Sequence, residues 1–291
     1  MSESKKGKFI LVGIDGSQIS DSLVQYAIWL AKSNGLTIKL LHTIEHSHQS
    51  EQAHHEGNLT PNIRRELLKE LSEEERQQSK QLIAKGKELI NSAKKQVIAS
   101  GLENVVAKLR HGTLPEAIED LQDEISLVML GSKGKSHQNG EQGLGFHLEQ
   151  SIRATKTPVF IAQKDFVEPK KVMFAYNGSP TSKRALAMIT QDTIYKEPLE
   201  IHIVCVNNDI KLAEQLVDEA KEAFILSNNK IVTRALTGET IEQLTKYQKE
   251  QHIDITAMGA FSHGKVHGFF FGSFTTKMIK QSDTNFLLIS V

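Results

Sequence analysis

The chain has 291 residues, and its Lys plus Arg equal its Asp plus Glu at 35 each. That length suits two domains better than one, because single hydrophobic cores rarely grow past roughly 250 residues. Balanced charge excludes a whole-protein field that draws the chain onto nucleic acid, no run approaches the length of a membrane span, and the single cysteine, Cys205, excludes an internal disulfide or a thiolate metal cluster.

The polar opening MSESKK runs straight into the apolar stretch 9–12 without a long hydrophobic leader, so a cytoplasmic protein is expected. Residues 9–14 read as a buried strand closed by the turn Asp15-Gly16-Ser17, and 20–33 as an amphipathic helix. A second strand spans 37–43. An insertion at 46–75 then carries His46, His48, His54 and His55 beside Pro61 and a charged helical run. Four histidines are metal ligands only when their geometry is fixed, so a polar loop without metal is expected, dispensable for folding. A third strand at 105–110 leads through His111-Gly112 to a helix at 115–121. The fourth strand, 127–130, enters a glycine-rich loop and a helix, and 158–162 is the last strand of this half.

After a linker at 164–170 the same order returns. A strand at 172–176 closes in Asn177-Gly178-Ser179, and a helix follows at 182–190. Strands at 199–206 and 231–236, the turn Thr237-Gly238, a helix at 240–248, a strand at 253–258 and a last strand at 285–291 complete the copy. Alternation of this kind predicts α/β architecture: two doubly wound, mostly parallel-sheet domains in tandem, about residues 1–165 and 170–291. Ser17 and Ser179 read as turn or capping residues, His42 and His202 as partly buried histidines bonded to backbone, and Cys205 as a buried apolar residue. No Ser/His/Asp spacing marks a catalytic site.

After the fourth strands stand Met129-Leu130-Gly131-Ser132-Lys133-Gly134 in one half and Met258-Gly259-Ala260-Phe261-Ser262 in the other. With the Asp-Gly-Ser turn and the repeat itself, these residues make the chain resemble the universal stress protein family. Its nucleotide-binding members carry a Gly, two residues, a Gly, nine residues, then Gly-Ser or Gly-Thr. The second half has Gly259, Ser262, Gly272 and Ser273 at that spacing. In the first, ten residues separate Gly134 from Gly145, and Phe146 stands where a hydroxyl belongs.

The resemblance implies an adenine nucleotide α-hydrolase-like fold and a site for ATP or a related adenine nucleotide. Glycines admit phosphate oxygens to backbone N–H groups, and a helix start adds partial positive charge. By the same carry-over, Ser273 and Thr275 serve the phosphates, Asp15 or Asn177 the nucleoside, and the backbones of Thr43 and Val206 the adenine. Met129 and Met258 are expected to flank the nucleotide. The resemblance also implies an intrachain pseudo-dimer in which 158–162 and 285–291 meet, taken here as the contact of two separate sheets. Three functions stay open: a nucleotide-responsive stress protein with an unidentified protein partner, an interaction scaffold indifferent to nucleotide, and a weak nucleotide hydrolase.

Overall fold

The computed structural model describes residues 8–44, 61–132, 146–191, 198–260 and 273–289. In the first half the order is β1 (Phe9–Gly13), α1 (Gln18–Asn34), β2 (Thr37–Ile44), α2 (Pro61–Ala99), β3 (Val105–His111), α3 (Leu114–Leu121), β4 (Ile125–Gly131), α4 (Phe146–Arg153) and β5 (Val159–Ala162). The second half repeats it with β6 (Lys171–Ala175), α5 (Pro180–Gln191), β7 (Glu200–Val206), α6 (Ile210–Glu222), β8 (Lys230–Leu236), α7 (Thr240–Gln251), β9 (Ile255–Gly259), α8 (Ser273–Gln281) and β10 (Asn285–Ile289).

The strands form one sheet in the order β3-β2-β1-β4-β5-β10-β9-β6-β7-β8, which reads the same from either end. Neighbours within each half run parallel. At the centre, β5 and β10 pair antiparallel through Ile161 with Phe286, Phe160 with Leu287 and Val159 with Leu288. The last strands therefore meet by backbone hydrogen bonding, and the two separate sheets expected from the repeat are one. Two bare edges at the middle of the molecule would each present unpaired N–H and C=O groups; pairing removes both. The polar side of the seam is satisfied by Asn285, whose Oδ1 accepts from the Gln163 N–H at 2.9 Å while its Nδ2 donates to the Tyr26 hydroxyl at 2.9 Å.

Helices cover both faces, as parallel strands buried on two sides require. On one face the core runs unbroken across the seam, with Leu148 and Ile152 of α4 and Met278 and Ile279 of α8 packed with Phe286 and Leu288. On the other face the core divides into a first-half cluster under α1 and α2 and a second-half cluster under α5 and α6. Cys205 is fully buried in the latter, as its apolar neighbours predict.

The charged run of the insertion is helical from Pro61 onward, as expected, and α2 runs 39 residues to Ala99 where its counterpart α6 has 13; its Glu, Lys, Arg, Gln and Leu content favours helix. His46, His48, His54 and His55 lie outside the described residues. Two expectations need correction. Met129 points into the first-half core and is fully buried, since side chains alternate along β4; Leu130 is the residue that faces the way Met258 does. Finally, His202 bonds side chains rather than backbone, with Nδ1 at 2.7 Å from the Tyr247 hydroxyl and Nε2 at 2.8 Å from Glu200. His42 does meet backbone, at the Ile14 carbonyl, 2.6 Å away.

Candidate functional site

Each half ends its first strand in a turn built the same way. Gly16 and Gly178 take φ of 75° and 69°, the left-handed region that glycine enters without steric cost. The side chain before each closes an Asx turn: Asp15 Oδ1 accepts from the Ser17 N–H at 2.9 Å, and Asn177 Oδ1 from the Ser179 N–H at 3.1 Å. The helix then begins. Ser179 caps α5 by accepting from the Ser182 N–H at 3.2 Å, whereas Ser17 makes no such bond and Asp15 instead takes the Ser20 hydroxyl at 2.8 Å.

Beside the second of these turns lies a cavity of about 110 Å³. It sits at the carboxyl ends of β6, β7 and β9, where Ala175, Val206 and Gly259 are the last strand residues. Strand β6 has β7 on one side and β9 on the other, so the chain leaves it in one direction and returns from the other. Open α/β sheets bind ligands at such a switch point. Three helices begin at the rim: α5 behind Ser179, α7 at Thr240, and α8, whose second residue is Phe274. Their dipoles favour negative charge, and Ser179 and the carboxylate of Glu239 already accept from N–H groups at the starts of α5 and α7. Among the described lining residues none is acidic, and Asn177, Ser179, Ser182 and Thr240 supply the polar atoms.

Backbone is available there too. Along β7 alternate residues aim their amide groups at opposite neighbours: the Val204 carbonyl accepts from Tyr176 on the β6 side, and the Asn207 N–H donates to Leu236 on the β8 side. Val206 therefore aims its N–H and C=O past the end of β6, whose ladder stops at Ala175 and Val204. Thr43 is placed equivalently, since the Leu41 carbonyl accepts from Ile14 and the β1 ladder stops at Gly13 and Leu41.

The structure thus gathers Asn177, Val206 and Gly259 around one cavity, and sets Asp15, Thr43 and Gly131 at the carboxyl ends of β1, β2 and β4. Ser273 opens α8 and is exposed; Thr275, two residues on, is buried. Gly134, Gly145, Ser262 and Gly272 lie outside the described residues. Gly259 has a packing role of its own, because a Cβ there would stand 3.1 Å from backbone atoms of Thr181 in the first turn of α5. Sequence reasoning missed Ser182, Thr240 and Phe274, although aligning Gly112-Thr113-Leu114 with Gly238-Glu239-Thr240 would have found the second.

That alignment matters in the first half. Leu114 stands where Thr240 stands, and Gly13 where Ala175 stands. A Cβ on Gly13 would lie 3.2 Å from Leu114 Cδ2 and 3.0 Å from Leu130 Cδ2. Leu114 therefore packs over the end of β1, in the position that borders open space in the second half.

The same duplicated pattern is found in known proteins. The universal stress protein family model matches residues 8–163 and 207–290. Universal stress protein Slr1230 of Synechocystis sp. is 29% identical over 280 residues, covering 94% of this chain and 97% of that one. Among solved structures, a universal stress protein from Archaeoglobus fulgidus superposes with a TM-score of 0.68 at 18% identity, covering 97% of this chain and 95% of its own. A protein of unknown function from Pseudomonas aeruginosa PAO1 does so with a TM-score of 0.58 at 13% identity, covering 98% and 93%.

Proposed function

The chain belongs to the universal stress protein family, and from that premise we propose that it is a stress-response protein whose second half binds ATP or a related adenine nucleotide. We place the division between its two repeats at the linker 164–170. The observation that carries the proposal is the second-half cavity at the switch point, rimmed by three helix starts and hydroxyl groups and free of acidic side chains among its described lining residues. In this reading the phosphates lie toward the starts of α5 and α8, with Ser273 as a donor. The adenine lies against the backbone of Val206, and Asn177 contacts the nucleoside. Metal-assisted hydrolysis needs a carboxylate to hold the metal. No described residue of the cavity offers one, so binding, not turnover, is the proposed activity.

A second reading, a scaffold that works without nucleotide, is favoured by one observation: Leu114 packs over the equivalent position of the first half. Calorimetry separates the two. ATP should bind wild-type protein with AMP much weaker, and Ser273→Ala should cost about 1.5–3 kcal/mol, the range for a hydrogen bond to a charged group. Absence of binding by ATP, ADP and AMP alike would favour the scaffold. Binding that survives Ser273→Ala but is abolished by Asp15→Ala would move the site to the first half.

A further inference from the structure

The divided core leaves a second cavity, of about 100 Å³, on the face of the sheet under α1 and α5. It straddles the junction of the two halves and shares no lining residue with the candidate nucleotide site. Trp29 of α1 and Ile189 of α5 form its walls, and Phe160, Leu287, Phe174 and Ala257 lie across its floor. Asn229 is the one polar residue among the described lining residues, and its Oδ1 already accepts from the Leu199 N–H at 2.8 Å.

The cavity is partly open to solvent, and water that enters it finds few hydrogen-bond partners along the apolar lining. A hydrocarbon group that displaces this water gains dispersion contacts with that lining, as benzene does in an enclosed Leu/Ile/Phe-lined cavity of about 150 Å³. The opposite face shows that the seam can be sealed, since α4 and α8 close it with a continuous core. Here the two clusters stay separate: the one under α1 and α2 reaches across to Ile255, and both share Val172 and Leu287 at their margins.

We propose that this cavity is a binding site for a small hydrocarbon group, of about benzene's size, held by packing alone. Its ligand is a free apolar molecule or the aliphatic end of an acyl chain, which share the chemistry the lining selects. Binding draws the two halves together across the seam, because Trp29 and Phe160 come from one and Ile189, Phe174 and Ala257 from the other. It is independent of nucleotide.

Trp29 is the only tryptophan in the chain, so its fluorescence reports occupancy in the full-length protein. Titration with bromobenzene and, separately, 6-bromohexanoate should quench it saturably. Saturation by bromobenzene alone would identify a free apolar molecule as the ligand class, and saturation by both an acyl end. Ala257→Leu and Val172→Phe fill the cavity from two directions and should each weaken quenching at least tenfold while melting no lower than wild type. Excess ATP should leave both curves unmoved. Quenching that rises linearly without saturating, or that saturates equally in a filled variant that remains folded, would overturn the proposal.

Discussion

The carboxyl end of β1 and the carboxyl end of β6 occupy equivalent places in the two halves, and they differ by a compensating pair. The first has Gly13 with Leu114 packed over it; the second has Ala175 with Thr240 beside a cavity. Removing a methyl from the strand admits a larger, apolar residue from the helix. The pair shows how a duplicated fold can keep its backbone while the side chains at one strand end are exchanged, since neither change disturbs the strand order.

The comparison can be tested by substitutions at the strand ends and helix starts of both halves. The largest effect is expected at Gly259→Val, where the new side chain meets Thr181 backbone that cannot swing away; overpacking there should cost up to about 3 kcal/mol in urea unfolding. Leu114→Ala, which empties the first-half position, should cost about 2 kcal/mol, less than a fully buried leucine because Leu114 is only half-buried. Thr240→Leu imports the first-half residue into the second. It should weaken ATP binding about tenfold, or about 1.4 kcal/mol, by calorimetry, with little change in melting temperature. Gly13→Ala imports the second-half residue into the first and should cost less than about 1 kcal/mol, because the atoms it meets are the mobile ends of Leu130 and Leu114.

A gentler contrast is electrostatic. In the second half, the Lys230 ammonium and the His202 imidazole hold the Glu200 carboxyl well below its usual range, at about 2. Thr37 stands at the corresponding place in the first half, and Lys39, where His202 stands in the second, holds its ammonium 3.7 Å from the centre of the Phe9 ring. A lowered folded-state pKa stabilises the fold fully above the ordinary value of 4.5 and is lost as pH falls through about 2. Glu200→Gln should therefore lower the melting temperature near neutrality, with the gap to wild type closing between about pH 4.5 and 2. A gap that stays constant with pH would assign the loss to packing instead.

Much of the architecture was legible because buried parallel strands appear as uninterrupted apolar runs, such as 9–12 and 201–206, separated by glycine turns at matching intervals. The Gly16 and Gly178 turns were legible for the same reason: few other residues adopt their φ. The facing of Met129 was not, because a fully buried strand has no polar alternation to reveal which side chains point which way. Leu114 looked like any apolar helix residue until the strand it covers was in place. The Glu200, His202 and Tyr247 network escaped notice because its partners come from two elements, and Glu200 alone reads as a surface charge. The antiparallel seam joins residues far apart in the chain, which local patterning does not register.

That seam also bears on how the molecule is made. Ile161 and Phe286 are neighbours in the sheet but more than a hundred residues apart in the chain, so their pairing has the longest loop to close and should form last. At roughly 5–20 residues per second of synthesis, the first half waits on the order of ten seconds with β5 uncovered before β10 leaves the ribosome. During that interval a nascent chain offers an apolar edge to any strand nearby, including the β5 of another copy. The synthesis of β10 is thus also the step that withdraws the molecule from aggregation, and β10 acts as the seal of the fold.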